Sequence, residues 1–225
     1  MVTIGLSGRD VVVFGATGAL GAGVASMFAS AGAAVVGADR VAPPPERTLT
    51  GISYEVADAL DEDALRELFD ARTPPWAVIN TIGGFAPDRP LAELDAAELT
   101  RQLQLNLVSA ALITKHALRV MQPAGQGRIV HTASRAAVQT KGSGFAYSVS
   151  KQGVLHLVAM AAEEVRGTGV TVNCVVPSII DTPANRAAIP DGDHDSWPKI
   201  PDISLSYVYL ASPDAGLVNG AAIPV

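Results

Sequence analysis

Six short apolar runs, each followed by a longer segment of mixed polarity, constrain the fold of this 225-residue chain more than any other feature. They are DVVVF (10–14), AAVVGA (33–38), GISYEV (51–56), WAVIN (76–80), GRIVHTA (127–133) and GVTVNCVV (169–176). All are rich in β-branched residues, continuously apolar and bounded by Gly, Pro or Asp, the pattern of strands buried on both faces of a parallel sheet. Helical patterns lie between them at about 18–31, 61–72, 95–121 and 145–166. In the longest, Leu99, Leu103, Leu107, Ala110, Ile113, Ala117 and Val120 recur every three or four residues and predict a single apolar stripe. Strict alternation of strand and helix predicts an α/β fold, an open, doubly wound parallel sheet with helices on both faces. No linker or internal repeat interrupts it, and APPPER (42–47) is too short to separate domains, so one domain over residues 1–225 is expected.

Composition narrows the function classes. The net charge is −6 with no basic run, so nucleic acid and anionic membrane surfaces are not expected partners. No apolar run approaches the length that spans a bilayer, and MVTIGLSGRD at the start lacks the pattern of a signal peptide. The single cysteine, Cys174, excludes an internal disulfide and lies in an apolar run, which predicts a buried core residue. A cytoplasmic location follows as an expectation. The four histidines, at 116, 131, 156 and 194, have no convincing metal-ligand spacing, so no metal is expected.

In a sheet of this kind, ligands bind beyond the carboxyl ends of the strands. The first such end carries VVVFGATGALGAG, with Gly15, Gly18 and Gly21 spaced three apart. The first glycine permits a tight turn, the second lets backbone N–H groups approach a phosphate, and the third lets helix and strand pack closely. This Rossmann-type loop, with Thr17, Ala19 and Leu20 between its glycines, is expected to hold a dinucleotide. Asp39, twenty-four residues after Gly15, ends the second strand. Its carboxylate can accept from an adenosine ribose diol and would repel a 2′-phosphate, which favours NAD(H) over NADP(H). Arg40 follows directly and is the residue that would turn towards a phosphate instead. Asp58, after the third strand, can meet the adenine edge or cap the next helix, and Asp61 competes for the capping role.

Tyr147 stands four residues before Lys151 in SGFAYSVSKQG, so both lie on one face of a helix. That pair alone is a common spacing. The rest of the set is NTIGG (80–84), Asn106 in the long helix, IVHTAS ending at Ser134, and VPSIIDTP (176–183). Ser134 precedes Tyr147 by thirteen residues and Asn106 precedes Ser134 by twenty-eight. The ordered set resembles the short-chain dehydrogenase/reductase family from residue 8 onward.

The resemblance implies an NAD(P)(H)-dependent oxidoreductase acting on a small carbonyl, alcohol or imine. Tyr147 would be the general acid/base, and Lys151 would lower its pKa and bond the nicotinamide ribose. Ser134 would hold the substrate oxygen, and Asn106 would place a water in the proton path. Asn80 and Gly83 would line the cofactor pocket, with Pro177, Ile180 and Thr182 in the loop over the nicotinamide. Ser178 stands where the family usually has glycine. GATGALG and the segment DTPANRAAIPDGDHDSW, expected as a substrate lid over about 181–200, look closer to dihydropteridine reductases. Those enzymes lack the serine found here at 134, so reduction of a quinonoid pterin by NADH is the alternative. A non-catalytic dinucleotide sensor is a second one. Trp197 is expected as a substrate wall or as hinge packing. A homodimer or homotetramer through helices 95–121 and 145–166 is also implied.

Overall fold

Continuously apolar strands need cover on both faces, and the chain supplies it from alternate helices. The computed structural model describes residues 5–85, 90–139 and 144–225; residues 1–4, part of the N-terminal segment read above, lie outside them. The strands are β1 (Asp10–Phe14), β2 (Ala34–Asp39), β3 (Ile52–Val56), β4 (Ala77–Asn80), β5 (Gly127–Thr132), β6 (Val170–Val176) and β7 (Ala222–Pro224). They form one sheet in the order β3-β2-β1-β4-β5-β6-β7, and every pair is parallel. The order reverses between β1 and β4, which opens a crevice at their carboxyl ends. The predicted α/β architecture is therefore observed.

Side chains alternate between the two sheet faces along each strand. Val12, Phe14, Val78, Ile129, Val172 and Cys174 face a core completed by α2 (Glu62–Asp70), α4 (Ser109–Ala124) and α5 (Phe145–Glu164). Val11, Val13, Ile79, Val130 and Val175 face a second core under α1 (Ala19–Ser30) and α7 (Ile200–Leu210). Cys174 is fully buried, as its apolar run predicts.

Three expectations need correction. The run at β3 ends up at a sheet edge, where Val56 is 64% exposed, and a seventh strand, β7, that the six runs did not include forms the other edge. Continuous apolarity does not distinguish a buried strand from an edge strand of the same composition. The helix α7 was not anticipated, because KIPDISLSYVYL carries a proline at its start and β-branched and aromatic residues within it. Pro201 sits in the first turn, where a missing N–H costs nothing.

The third correction matters most for the site. The long predicted helix begins as α3 (Ala96–Gln102), passes through a π-helical stretch (Leu103–Val108) and continues as α4. The wider turn shifts the phase of the stripe. Leu103 and Leu107 are only partly buried, while Gln102 and Asn106 are enclosed.

The first glycine turn shows why side chains are excluded there. Gly15 adopts φ +80°, and a Cβ on Gly21 would lie 2.1 Å from the Gly15 carbonyl oxygen. Replacing Gly21→Ala should lower stability by about 2 kcal/mol or more, because neither backbone can retreat. Gly5→Ala, whose Cβ would meet nothing within 4 Å, should leave the urea midpoint unchanged. An unchanged midpoint for Gly21→Ala would contradict this close approach.

Candidate active site

The carboxyl ends of β1, β2, β4, β5 and β6 gather the residues singled out by the sequence, and a hydrogen-bonded framework holds them. At the cofactor end, Gly18 caps α1 without a side-chain bond, and no acidic residue occupies its first turn. The N-terminal amides of α1 thus remain available beside exposed Gly18 and Ala19, which suits a diphosphate. Thr17 donates to the Asp39 carboxylate twice, from its backbone N–H at 3.1 Å and its hydroxyl at 2.6 Å. The other Asp39 oxygen accepts from the Arg40 N–H at 2.8 Å. The glycine loop and the end of β2 are therefore one rigid unit. The Arg40 side chain is exposed. Asp61 takes the cap of α2, accepting from Asp63 and Ala64, while Asp58 accepts from the Leu60 N–H and stays exposed.

At β4 the structure corrects the role expected of Asn80. Its side chain is buried, bonded to His131 at 3.2 Å and accepting from the Ile82 N–H at 3.0 Å. It shapes the 80–84 turn from beneath. Because the Asn80 amide donates, His131 accepts at Nδ1 and carries its proton on Nε2, which faces the Thr114 hydroxyl at 2.8 Å. Burial, aided by the Lys151 charge, holds His131 down to about 3, so it is neutral at physiological pH. His131 is packing beneath the site.

Asn106 is the hub. Its Nδ2 donates to Gln102 Oε1 (2.8 Å), Ser150 Oγ (3.1 Å) and the Gly84 carbonyl (3.3 Å), and its Oδ1 accepts from the Gly84 N–H (3.3 Å). Ser150 in turn donates to the Tyr147 carbonyl at 2.7 Å. A Cβ on Gly83 would stand 2.9 Å from both Asn106 Oδ1 and Lys151 Nζ, so only glycine lets these groups converge. Gln102 and Ser150 escaped the sequence reading. The one available signal was Gln102 four residues before Asn106, and the helical stripe argued against its burial.

Lys151 is almost wholly buried, and its ammonium donates to the Thr132 carbonyl at 2.8 Å. Burial lowers it to about 8, with the neighbouring Cys174 thiol acting in the opposite direction. Burial pushes Cys174 itself up to about 12, so that thiol is inert. The floor continues through the Thr132 hydroxyl, which donates to the Asn80 carbonyl and meets the Tyr207 hydroxyl, each at 2.7 Å. Tyr147 is half-buried at the surface of this floor. Burial raises its phenol above the ordinary value, and a hydrogen bond with the Ser134 hydroxyl opposes the rise. Burial outweighs the other influences on the Tyr147 phenol, and the Lys151 ammonium donates to the Thr132 carbonyl. Ser134 also caps the turn Arg135–Ala137, accepting from the Ala136 N–H at 3.2 Å.

The last loop closes the site. Pro177 is buried and accepts from the Arg135 N–H at 2.9 Å, which ties this loop to the turn after Ser134. Ser178 carries no strain in the place of glycine, since no described non-glycine residue has positive φ. Ile180 packs against the α1/α7 core. Thr182 caps α6 (Pro183–Ala188), accepting from the Asn185 N–H at 3.1 Å. Asp181 receives Arg186 through two bonds and Lys199 at 2.7 Å, joining the two ends of the 181–200 segment. Trp197 is buried, with its ring tilted against that of His194 at 4.5 Å between centroids, so it packs inside this segment.

Over residues 9–192 the chain matches the family model of the short chain dehydrogenases. The chain belongs to the short-chain dehydrogenase/reductase family. It is 33% identical to the cis-4-hydroxycyclohexanecarboxylate dehydrogenase of Sinomonas cyclohexanicum, over 96% of this chain and 94% of that one. A short-chain type dehydrogenase/reductase from Mycobacterium ulcerans superposes with a TM-score of 0.90 at 27% identity, covering 98% and 89%. A Beutenbergia cavernae protein named as an NAD(P)-dependent gluconate 5-dehydrogenase holds NADP and matches with a TM-score of 0.88 at 26% identity, covering 99% and 97%. The protein is thus an NAD(P)-dependent oxidoreductase of this family, acting on a small molecule. No helix among the described residues is long and apolar enough to cross a membrane.

The framework makes a measurable demand. Gln102→Leu removes the shortest of the three acceptors of the buried Asn106 amide, at 2.8 Å, and leaves the longer bonds to Ser150 and Gly84, a loss of about 1 kcal/mol. The urea midpoint should fall accordingly. Full retention of stability would show that Asn106 does not depend on Gln102.

Proposed function

We propose that this short-chain dehydrogenase/reductase interconverts a small secondary alcohol and its ketone, with Tyr147 as acid/base, Ser134 as the substrate-oxygen ligand and NAD(H) as the preferred cofactor. The observation that carries the reading is that the Ser134 hydroxyl acts on the half-buried Tyr147 phenol, opposing the rise in its pKa, while Lys151 lies buried one helical turn further along α5. Such a pair can grip one oxygen from two sides. A carbonyl or hydroxyl needs that grip, whereas an already polarised pterin ring needs it less. None of the relatives named above acts, by its name, on a pterin, and one is named for a hydroxycyclohexane.

The glycine turn and the open amides of α1 fit the diphosphate, Asp39 fits the adenosine ribose, and Lys151 with Gly83 fits the second ribose. The nicotinamide, when bound, accepts or delivers the hydride. In oxidation, Tyr147 takes the hydroxyl proton as the carbon–hydrogen bond gives up its electron pair and the C=O bond forms. In reduction, the Tyr147 proton passes to the carbonyl oxygen as that carbon gains hydride. The raised pKa of the phenol keeps the proton on Tyr147 at neutral pH, which favours the donor role. Lys151 contributes a positive charge that steadies the phenolate when it forms. Asn106 holds the Gly84 peptide and, through Ser150, the start of α5.

NAD preference rests on Asp39, which Thr17 fixes in place as an acceptor. The exposed Val149 and Met160 on α5 and Val108 before α4 support self-association through these helices. A cytoplasmic dimer or tetramer is the corresponding assembly.

Tyr147→Phe should cut turnover by about 10²–10⁴-fold while NADH still binds; retained turnover would remove Tyr147 from the chemistry. Asp39→Ala should weaken NADH more than NADPH, and equal losses would end the argument for NAD. The Lys151 ammonium, lowered to about 8, is charged below that pH and neutral above it. NADH affinity, followed by its fluorescence, should therefore fall as pH rises through about 8. A flat profile between pH 7 and 9.5 would contradict the role of Lys151 in holding the ribose.

A further inference from the structure

Phe85 is 68% exposed although it lies beside the reacting hydroxyls, with its ring edge-on to Tyr147 at 5.4 Å and 72°. An open aromatic ring contributes little to the fold, and its apolar surface gains stability only when something covers it. The ring is not placed loosely. Asn106 bonds both the N–H and the carbonyl of Gly84, so the backbone that presents Phe85 is fixed by the same side chain that organises the floor. A second open apolar group, Val138 at 63% exposure, ends the turn that Ser134 caps. That turn is tied to α5 by the Ser148 hydroxyl, which donates to the Ala136 carbonyl at 2.6 Å.

We infer that Phe85 is a specificity residue whose free face packs on an apolar ring carrying the alcohol or ketone, so that the site selects alicyclic substrates over open-chain ones. The inference rests on Tyr147 and Ser134 as the groups that meet the substrate oxygen. A ring bearing that oxygen lies within reach of the Tyr147 phenol and covers the Phe85 ring beside it. A short open-chain ketone satisfies the hydroxyls and leaves Phe85 exposed. Aromatic edge contacts of the kind Phe85 already makes with Tyr147 also tolerate a saturated ring stacked on the free face.

The test compares cyclohexanone with butan-2-one, using NADH and the full chain. The unsubstituted enzyme should favour cyclohexanone at least tenfold in kcat/KM. Phe85→Ala should lose about 10- to 100-fold on cyclohexanone and less than threefold on butan-2-one, whereas Phe85→Leu should retain most of the preference. Since Phe85 is exposed, the thermal midpoint of Phe85→Ala should match that of the parent. Equal losses on both ketones, or no loss on either, would overturn the role of Phe85 while leaving the Tyr147 assignment intact. A second readout does not depend on turnover. In the NADH-loaded Tyr147→Phe protein, saturation-transfer NMR should show cyclohexanone contacting protein protons, and adding Phe85→Ala should abolish the signal. Persistence of that signal, or failure of the enzyme to turn over either ketone, would likewise overturn the inference.

Discussion

A buried ammonium sets the terms for the rest of this molecule. Lys151 is taken out of water on α5 and given the Thr132 carbonyl at 2.8 Å as its bond to protein. Burial of a charge with so little compensation is unfavourable, and the lowered Lys151 pKa reports that cost directly. It also leaves two ammonium hydrogens uncommitted by the described contacts, pointing a desolvated cation at the crevice where β1 and β4 diverge. Several neighbouring features are consistent with keeping that cation in place. Gly83 has no side chain, His131 is uncharged, and Cys174 fills the rear with a thiol that stays protonated.

Around the cation, several polar side chains are buried, and each has its partners. Gln102, Asn106, Ser150 and the Tyr147 carbonyl form one chain; Asn80, His131 and Thr114 form another; Thr132 joins Tyr207 to β4. A satisfied network of this kind is stiff, because every member that moves strands a donor or acceptor in a low-dielectric interior. The π-helical stretch has a role within it. It follows directly on Gln102, encloses Asn106 and leaves Leu103 and Leu107 partly exposed.

The contrast between what the sequence makes legible and what it hides follows from the same physics. The parallel α/β sheet and the glycine turn are legible because backbone geometry and residue spacing dictate them locally, and spacing alone singles out Asp39, Asn106, Ser134, Tyr147 and Lys151 as candidates. Phe85, Gln102 and the packing role of His131 are not, since each depends on which side chains meet across elements distant in sequence. The helix stripe misled for a specific reason: a 3.6-residue period assumes an unbroken α-helix, and six residues of π-helix suffice to invalidate it. Edge strands escaped for another. Val56 and Ile79 belong to similar apolar runs, and only sheet order exposes one and buries the other.

The two ends of the crevice are built on different principles. The chemical end is polar, buried and overdetermined, with Asn106 making four hydrogen bonds. The other end is the surface segment 181–200, held at its neck. Asp181 gathers Arg186 and Lys199, and these cations hold its carboxyl well below the usual range, so the clasp stays ionised as pH falls through the range where free carboxylates protonate. Within that segment, Trp197 and His194 pack on each other, and Pro183–Ala188 form a short helix of mostly small side chains. Substitutions there change shape without stranding buried donors, whereas substitutions in the floor do strand them. On the proposed reading, substrate range can therefore shift at Phe85 and along 181–200 at little cost to stability, while the buried polar floor tolerates almost no change.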